Sequence, residues 1–110
     1  MNEQEFRAAS EKTLQAIEQA LENSEADLDF ECQGDGVLQI TCEDRSQIIV
    51  NRHAAAQEIW VAARAGGFHF RPEGGRWVDT RDGVELAVRL SELLSRQTGE
   101  SITLTLALEG

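Results

Sequence analysis

The stretch Asp27-Leu28-Asp29-Phe30-Glu31-Cys32-Gln33-Gly34-Asp35-Gly36 decides the fold of this chain. From Asp27 to Gln33 polar and apolar residues alternate strictly, the period-2 pattern of a strand with one dry and one wet face. Leu28, Phe30 and Cys32 point inward, while Asp27, Asp29 and Glu31 point to water. Gly34-Asp35-Gly36 reads as a hairpin turn, because glycine accepts the positive φ that such turns need. Val37 to Glu43 is then the returning strand, with Leu38, Ile40 and Cys42 inward. An antiparallel sheet with one dry face has to be covered on that face.

The cover comes from both ends of the chain. Upstream, residues 3–24 predict a helix with Phe6, Leu14, Ile17 and Leu21 on one stripe, spread over about 80° at about 100° per residue. Glu11, Glu18, Glu22 and Glu25 form a second stripe centred about 90° from the first, which keeps it wet beside the buried face. Downstream, Asp44-Arg45-Ser46 turns the chain into Gln47–Asn51, and further strands follow through Ile59–Ala63, Phe68–Phe70 and Arg76–Asp79. Asp82 followed by Glu85 predicts a capping box. The helix behind it runs to about Gln97, with Leu86, Leu90, Leu93 and Leu94 on one stripe and Thr98-Gly99 as its stop. Ile102 to Leu106 alternates again, as a last edge strand or as an extended tail laid into an apolar groove. The expected fold is α+β: a two-layer α/β sandwich, with N- and C-terminal helices on one face of a five- to six-stranded antiparallel sheet.

The 110 residues fit one domain, 1–110, and 41% apolar with 27% charged residues is a globular composition. Net charge is −10 and unevenly placed: residues 1–45 carry twelve acids and three bases, residues 46–110 eight and seven. An acidic chain excludes nucleic acid as the expected partner and favours cations or basic protein surfaces. No apolar run reaches membrane-spanning length, and the start lacks the basic and apolar parts of a signal peptide, so the expected location is cytoplasmic with no membrane partner.

Catalytic motifs are lacking: there is no GxSxG, no phosphate-binding GxxxxGK[ST] and no HExxH. Cys32 and Cys42 fall about 13 Å apart along the hairpin at ~3.3 Å per residue, too far for a disulfide, and read as inert buried thiols. His53 and His69 read as surface or half-buried histidines. What stands out is an acidic ridge, Glu18, Glu22 and Glu25 leading into Asp27, Asp29 and Glu31. Carboxylates are hard ligands suited to Ca²⁺, Mg²⁺, Mn²⁺ or iron, but no loop wraps these into a cage, so any ion keeps water and binds weakly. Trp60 alternates with Ile59 and Val61, which places it on the open sheet face near Asn51 and Arg52, where an exposed Trp is a typical protein-contact anchor.

The strings Ile49-Val50-Asn51-Arg52, Ile59-Trp60-Val61-Ala62, Gly66-Gly67-Phe68-His69-Phe70, Trp77 and Asp82-Gly83 follow one another in an order and spacing that resemble the bacterial frataxin family over nearly the whole chain. The resemblance implies the frataxin fold and a non-catalytic role as iron-binding adaptor and regulator of iron–sulfur cluster assembly. Fe²⁺ and Fe³⁺ would be held weakly and exchangeably on Glu11, Glu18, Glu22, Glu25, Asp27, Asp29 and Glu31. The implied partners are the cysteine desulfurase and the iron–sulfur scaffold, met through Glu18, Glu22, Asn51, Arg52 and Trp60. The expected state is a monomer without iron, with metal-driven oligomers allowed. Gln19 and Asn23 replace acids common in the family, and His53-Ala54-Ala55 and Glu58 change the polar detail around Trp60. Two other readings stay open: an Fe²⁺-oxidising enzyme, and an acidic interaction domain that never meets iron.

Overall fold

The computed structural model describes residues 1–106. Helix α1 (Glu3–Asn23) leads into strands β1 (Asp29–Cys32), β2 (Val37–Thr41), β3 (Gln47–His53), β4 (Glu58–Ala63), β5 (Gly66–Glu73) and β6 (Arg76–Asp79), followed by helix α2 (Leu86–Thr98). The strands form one six-stranded antiparallel sheet in the order β1-β2-β3-β4-β5-β6. Each hairpin keeps neighbours in sequence as neighbours in space, so every strand finds its partner across a short loop.

Leu38, Ile40, Ile48, Val50, Ile59, Val61 and Phe70 are buried on one sheet face, in one cluster with Phe6, Leu14, Ile17 and Leu21 of α1 and Leu86, Leu90, Leu93 and Leu94 of α2. Both helices therefore cover the same face, as the three apolar stripes require. Trp77 ties the layers together: its indole N–H donates to Thr13 Oγ1 at 2.7 Å and its ring meets Phe6 edge-on at 5.9 Å. A buried Trp in that position satisfies its one polar atom and adds an edge-to-face aromatic contact.

Asn2 and Glu5 form a capping box at the start of α1, with Asn2 Oδ1 accepting from the Glu5 N–H at 2.7 Å. The capping box expected at Asp82 and Glu85 does not form. Glu85 is the N-cap of α2 but makes no side-chain cap bond and pairs instead with Arg76, while Asp82 Oδ1 accepts from the Val84 N–H at 3.1 Å. Val78 bridges to Glu85, so the chain is still extended there, α2 begins only at Leu86 and the Glu85 carboxylate goes to Arg76. Gly99 closes α2 in the left-handed conformation at φ 75°, as expected for a glycine stop.

Ile102 to Leu106 forms no seventh strand. Ile102 and Leu104 are buried, and the tail lies on α2 through hydroxyls: Ser95 Oγ donates to Ile102 O at 3.0 Å and accepts the Ile102 N–H at 2.9 Å, and Ser91 Oγ accepts the Leu104 N–H at 2.8 Å. Side chains on the helix do the work that a neighbouring strand would do. The single-domain expectation extends to residues 107–110, which lie outside the described residues.

Candidate functional site: the acidic edge and the aromatic sheet face

The acidic ridge wraps the open edge of the sheet. β1 is the edge strand, and its residues Asp29 and Glu31 stand across from Thr41 and Gln39 on the side away from the helices. Glu18 and Glu22 lie one turn apart on α1, and Glu18 reaches across to β1, where its Oε1 accepts the Cys32 S–H at 2.9 Å. Glu11 lies on α1 about 10 Å further back at 1.5 Å per residue. Glu25 is not on the helix: α1 stops at Asn23, Ser24 is extended, and its Oγ accepts the Ala26 N–H at 3.2 Å, so Glu25 and Asp27 belong to the turn into β1. Glu11, Glu22, Glu25, Asp27, Asp29 and Glu31 are exposed and Glu18 is half-buried.

None of these seven carboxylates forms an ion pair among the described residues. The arginines pair elsewhere: Arg7 and Arg52 both hold Asp35, Arg64 holds Asp44, Arg71 holds Glu73, Arg76 holds Glu85, and Arg89 holds Asp79, Asp82 and Glu92. Moreover, the last turn of α1 has no basic residue. A helix C-terminus carries partial negative charge, so carboxylates gathered there raise the local cost. Among the described residues no three His, Cys, Asp or Glu side chains stand ready to hold a metal ion. The ridge is a field of separate open carboxylates, suited to a hydrated cation that keeps its own water.

Cys32 departs from its reading as a buried thiol. The residue is exposed, whereas Cys42 is buried, and both are free. Cys32 is the last residue of an edge strand, so its inward-pointing side meets Glu18 rather than the apolar stripe of α1. The bond to the Glu18 carboxylate, then burial, then the Glu18 charge push its pKa up to about 11. Elsewhere Arg52 holds the Asp35 carboxyl below its ordinary value, and the Ser46 hydroxyl and N–H bring Asp44 down to about 2.

The second surface is the face of the sheet away from the helices. Asn51 and Trp60 stand directly opposite each other on β3 and β4, and His69 stands opposite Trp60 on β5. Ile59 and Val61 are buried and Trp60 is half-buried, which confirms the expected orientation of its indole. Both ring faces of Trp60 are covered. His53 stacks at 3.8 Å between centroids and 10° between planes, and His69 on the other side at 4.3 Å and 9°. The indole N–H donates to Glu58 Oε1 at 2.8 Å, an oxygen that also stands 3.8 Å from His69 Nδ1.

Arg52 belongs elsewhere. It pairs with Ile59 in register, so it points to the helix side, away from Trp60, and its side chain is only 7% exposed. There it is held by Asp35 at 2.6 Å and lies beneath Gly36. The His53–Trp60–His69 stack is the feature that reading the residues singly misses. The signal was present: a two-residue turn at Arg64-Ala65 pairs Ala63 with Gly66 and therefore Trp60 with His69.

These two surfaces can be set beside known proteins. A family model for the frataxin-like domain matches residues 1–100. The iron–sulfur cluster assembly protein CyaY of Dechloromonas aromatica is 59% identical over 104 residues, covering 94% of this chain and 99% of its own. That of Cupriavidus metallidurans is 49% identical over 107 residues, covering 94% and 96%. Among solved structures, frataxin from Psychromonas ingrahamii, of the CyaY protein family, superposes with a TM-score of 0.88 at 31% identity, covering 96% of this chain and 99% of that one. A trimeric yeast frataxin from Saccharomyces cerevisiae, complexed with ferrous iron, shares the fold at TM-score 0.69 and 21% identity, covering 84% and 87%. With the fold, the near-complete coverage and the family model in agreement, this chain belongs to the frataxin family, alongside the CyaY proteins.

Proposed function

We propose that this protein serves iron–sulfur cluster assembly as a non-catalytic adaptor, carrying weakly bound iron on its acidic ridge and docking on the cysteine desulfurase and scaffold. The observation that carries the reading is the charge pattern around α1 and β1. Glu22, Glu25 and Asp27 stand at the negative end of α1, Glu18 lies one turn back and Asp29 and Glu31 line the outer face of β1, and none of them has an ion pair among the described residues, while arginines neutralise acids elsewhere. Fe²⁺ or Fe³⁺ held there relieves the repulsion and exchanges freely because most of its shell stays water, and Glu11, about 10 Å further back on α1, extends the negative field as a separate carboxylate. A basic patch on the desulfurase meets the same charges, with Glu18 and Glu22 nearest the centre. Asn51 and Trp60 offer the neighbouring apolar and hydrogen-bonding contact. Arg52 supports this surface from behind through the Asp35 pair.

The test is capture of the desulfurase by wild type and by a variant carrying E18Q, E22Q, D27N and D29N, with and without iron, at low and high salt. Wild-type capture should fall steeply with salt, as the screening length drops from ~10 Å at 0.1 M to ~3 Å at 1 M. The variant should lose both capture and iron. Retention of both overturns the ridge as the site. Broadening of ridge amides by Fe²⁺ but not by equimolar Mg²⁺ separates an iron carrier from an acidic interaction domain that never uses iron.

A further inference from the structure

The stack on the sheet face has a geometry that a solitary anchor residue would not need. Three rings from three adjacent strands lie within 10° of parallel in sequence His53, Trp60, His69. The indole N–H is bound to Glu58, and His53 is itself fixed, its Nδ1 accepting the Ala56 N–H at 3.2 Å. Trp60 therefore has two covered faces, one occupied N–H and a single outer edge left for contact. Nothing in the helix-facing core depends on these rings, because Ile59, Val61 and Phe70 fill it from the other side.

We propose that His53 and His69, with Glu58, are positioning residues that hold the Trp60 indole in its docking orientation before the partner arrives. This rests on the reading that Trp60 faces the assembly machinery. An aromatic side chain fixed in advance surrenders no rotamer freedom on binding, so the same contact area gives tighter association. The clamp also restricts what can dock. With both indole faces stacked, a partner group cannot slide over the ring and must meet its edge, flanked by two imidazoles. Asn51, directly across from Trp60, completes a polar border on the β3 side.

The experiment uses the full chain labelled with ¹⁵N, since the indole N–H signals of Trp60 and the buried Trp77 report separately. In wild type the Trp60 indole should be as ordered as rigid backbone, with an order parameter of about 0.85. In H53A/H69A it should fall below about 0.6, and in H53F/H69F, which restores two flat rings, it should recover. Affinity for the desulfurase–scaffold complex should fall roughly 3- to 10-fold in the alanine pair and return in the phenylalanine pair. An unchanged Trp77 signal certifies that each variant is folded. A Trp60 indole that stays ordered in H53A/H69A overturns the clamp, as does an affinity loss that phenylalanine fails to repair. A W60A variant captured as well as wild type overturns instead the docking reading on which the affinity gain depends, while the order parameter of the free chain still decides the clamp.

Discussion

Replacing Glu18 by Gln should make Cys32 markedly more reactive toward an alkylating agent. The thiolate is the nucleophile, so the rate follows the fraction of thiol that is ionised. The Glu18 carboxylate accepts the Cys32 S–H at 2.9 Å and adds its own charge, and together with partial burial this moves the thiol from 9.0 to about 11. At pH 8 that shift cuts the thiolate fraction by about 100-fold relative to an unperturbed thiol. Glu18 provides both the hydrogen bond, which is the largest cause, and the repulsive charge, whereas E18Q leaves burial in place. The expected result is thus a rise of about 10- to 100-fold in Cys32 alkylation. Iodoacetamide labelling followed by peptide-resolved mass spectrometry separates Cys32 from the buried Cys42, whose rate should stay low in both proteins. A Cys32 rate that changes by less than about 3-fold would show that the carboxylate does not hold the proton on the sulfur.

Three further outcomes follow from the packing. Leu104→Ala removes a buried side chain that anchors the tail on α2; it should cost about 2–4 kcal/mol and lower Tm by roughly 8–20 °C in a calorimetric scan, and an unchanged Tm would mean that the tail is dispensable. Gly36→Ala places a Cβ 2.9 Å from Arg52 Nε at a φ of +85°; a loss of about 1–3 kcal/mol in urea unfolding is expected, with the Arg52–Asp35 pair disturbed. On acidification, Asp35, Asp44 and Asp82, whose carboxyls are all lowered on folding, contribute stability that is present above the unfolded value of about 4 and lost as pH falls through the folded values. The urea midpoint should accordingly drop between pH 4 and 2, and D44N should flatten part of that drop; an unaltered slope would remove Asp44 from the account.

The sequence by itself determined which side of each element turns inward, because the periods of strand and helix are set by the backbone alone. The 3.6-residue stripe of Phe6, Leu14, Ile17 and Leu21 is buried, whereas of the alternating residues at the sheet edge Leu28 and Phe30 are only half-buried and Cys32 is exposed. The six acids of the ridge were legible because charge is a property of composition, and the family resemblance because short strings such as Ile59-Trp60-Val61-Ala62 keep their order and spacing along the chain. Boundaries were less so: Glu25 was read onto α1, but the Ser24 turn ends the helix before it. The capping box at Asp82 failed because a bridge to Val78 keeps Glu85 extended, a contact that lies outside the local window.

Tertiary structure alone decided what each polar group faces. Arg52 is adjacent to Asn51 in the chain yet points through the sheet to Asp35, because successive residues of a strand take opposite faces. Cys32 has the inward parity of a core residue but lies at an edge where the helix presents Glu18. Register across the β4–β5 hairpin set His69 opposite Trp60, and the diagonal from β3 added His53. Pairing across strands depends on turn length and sheet twist, and these bring together residues whose separation in the chain carries no periodic signal.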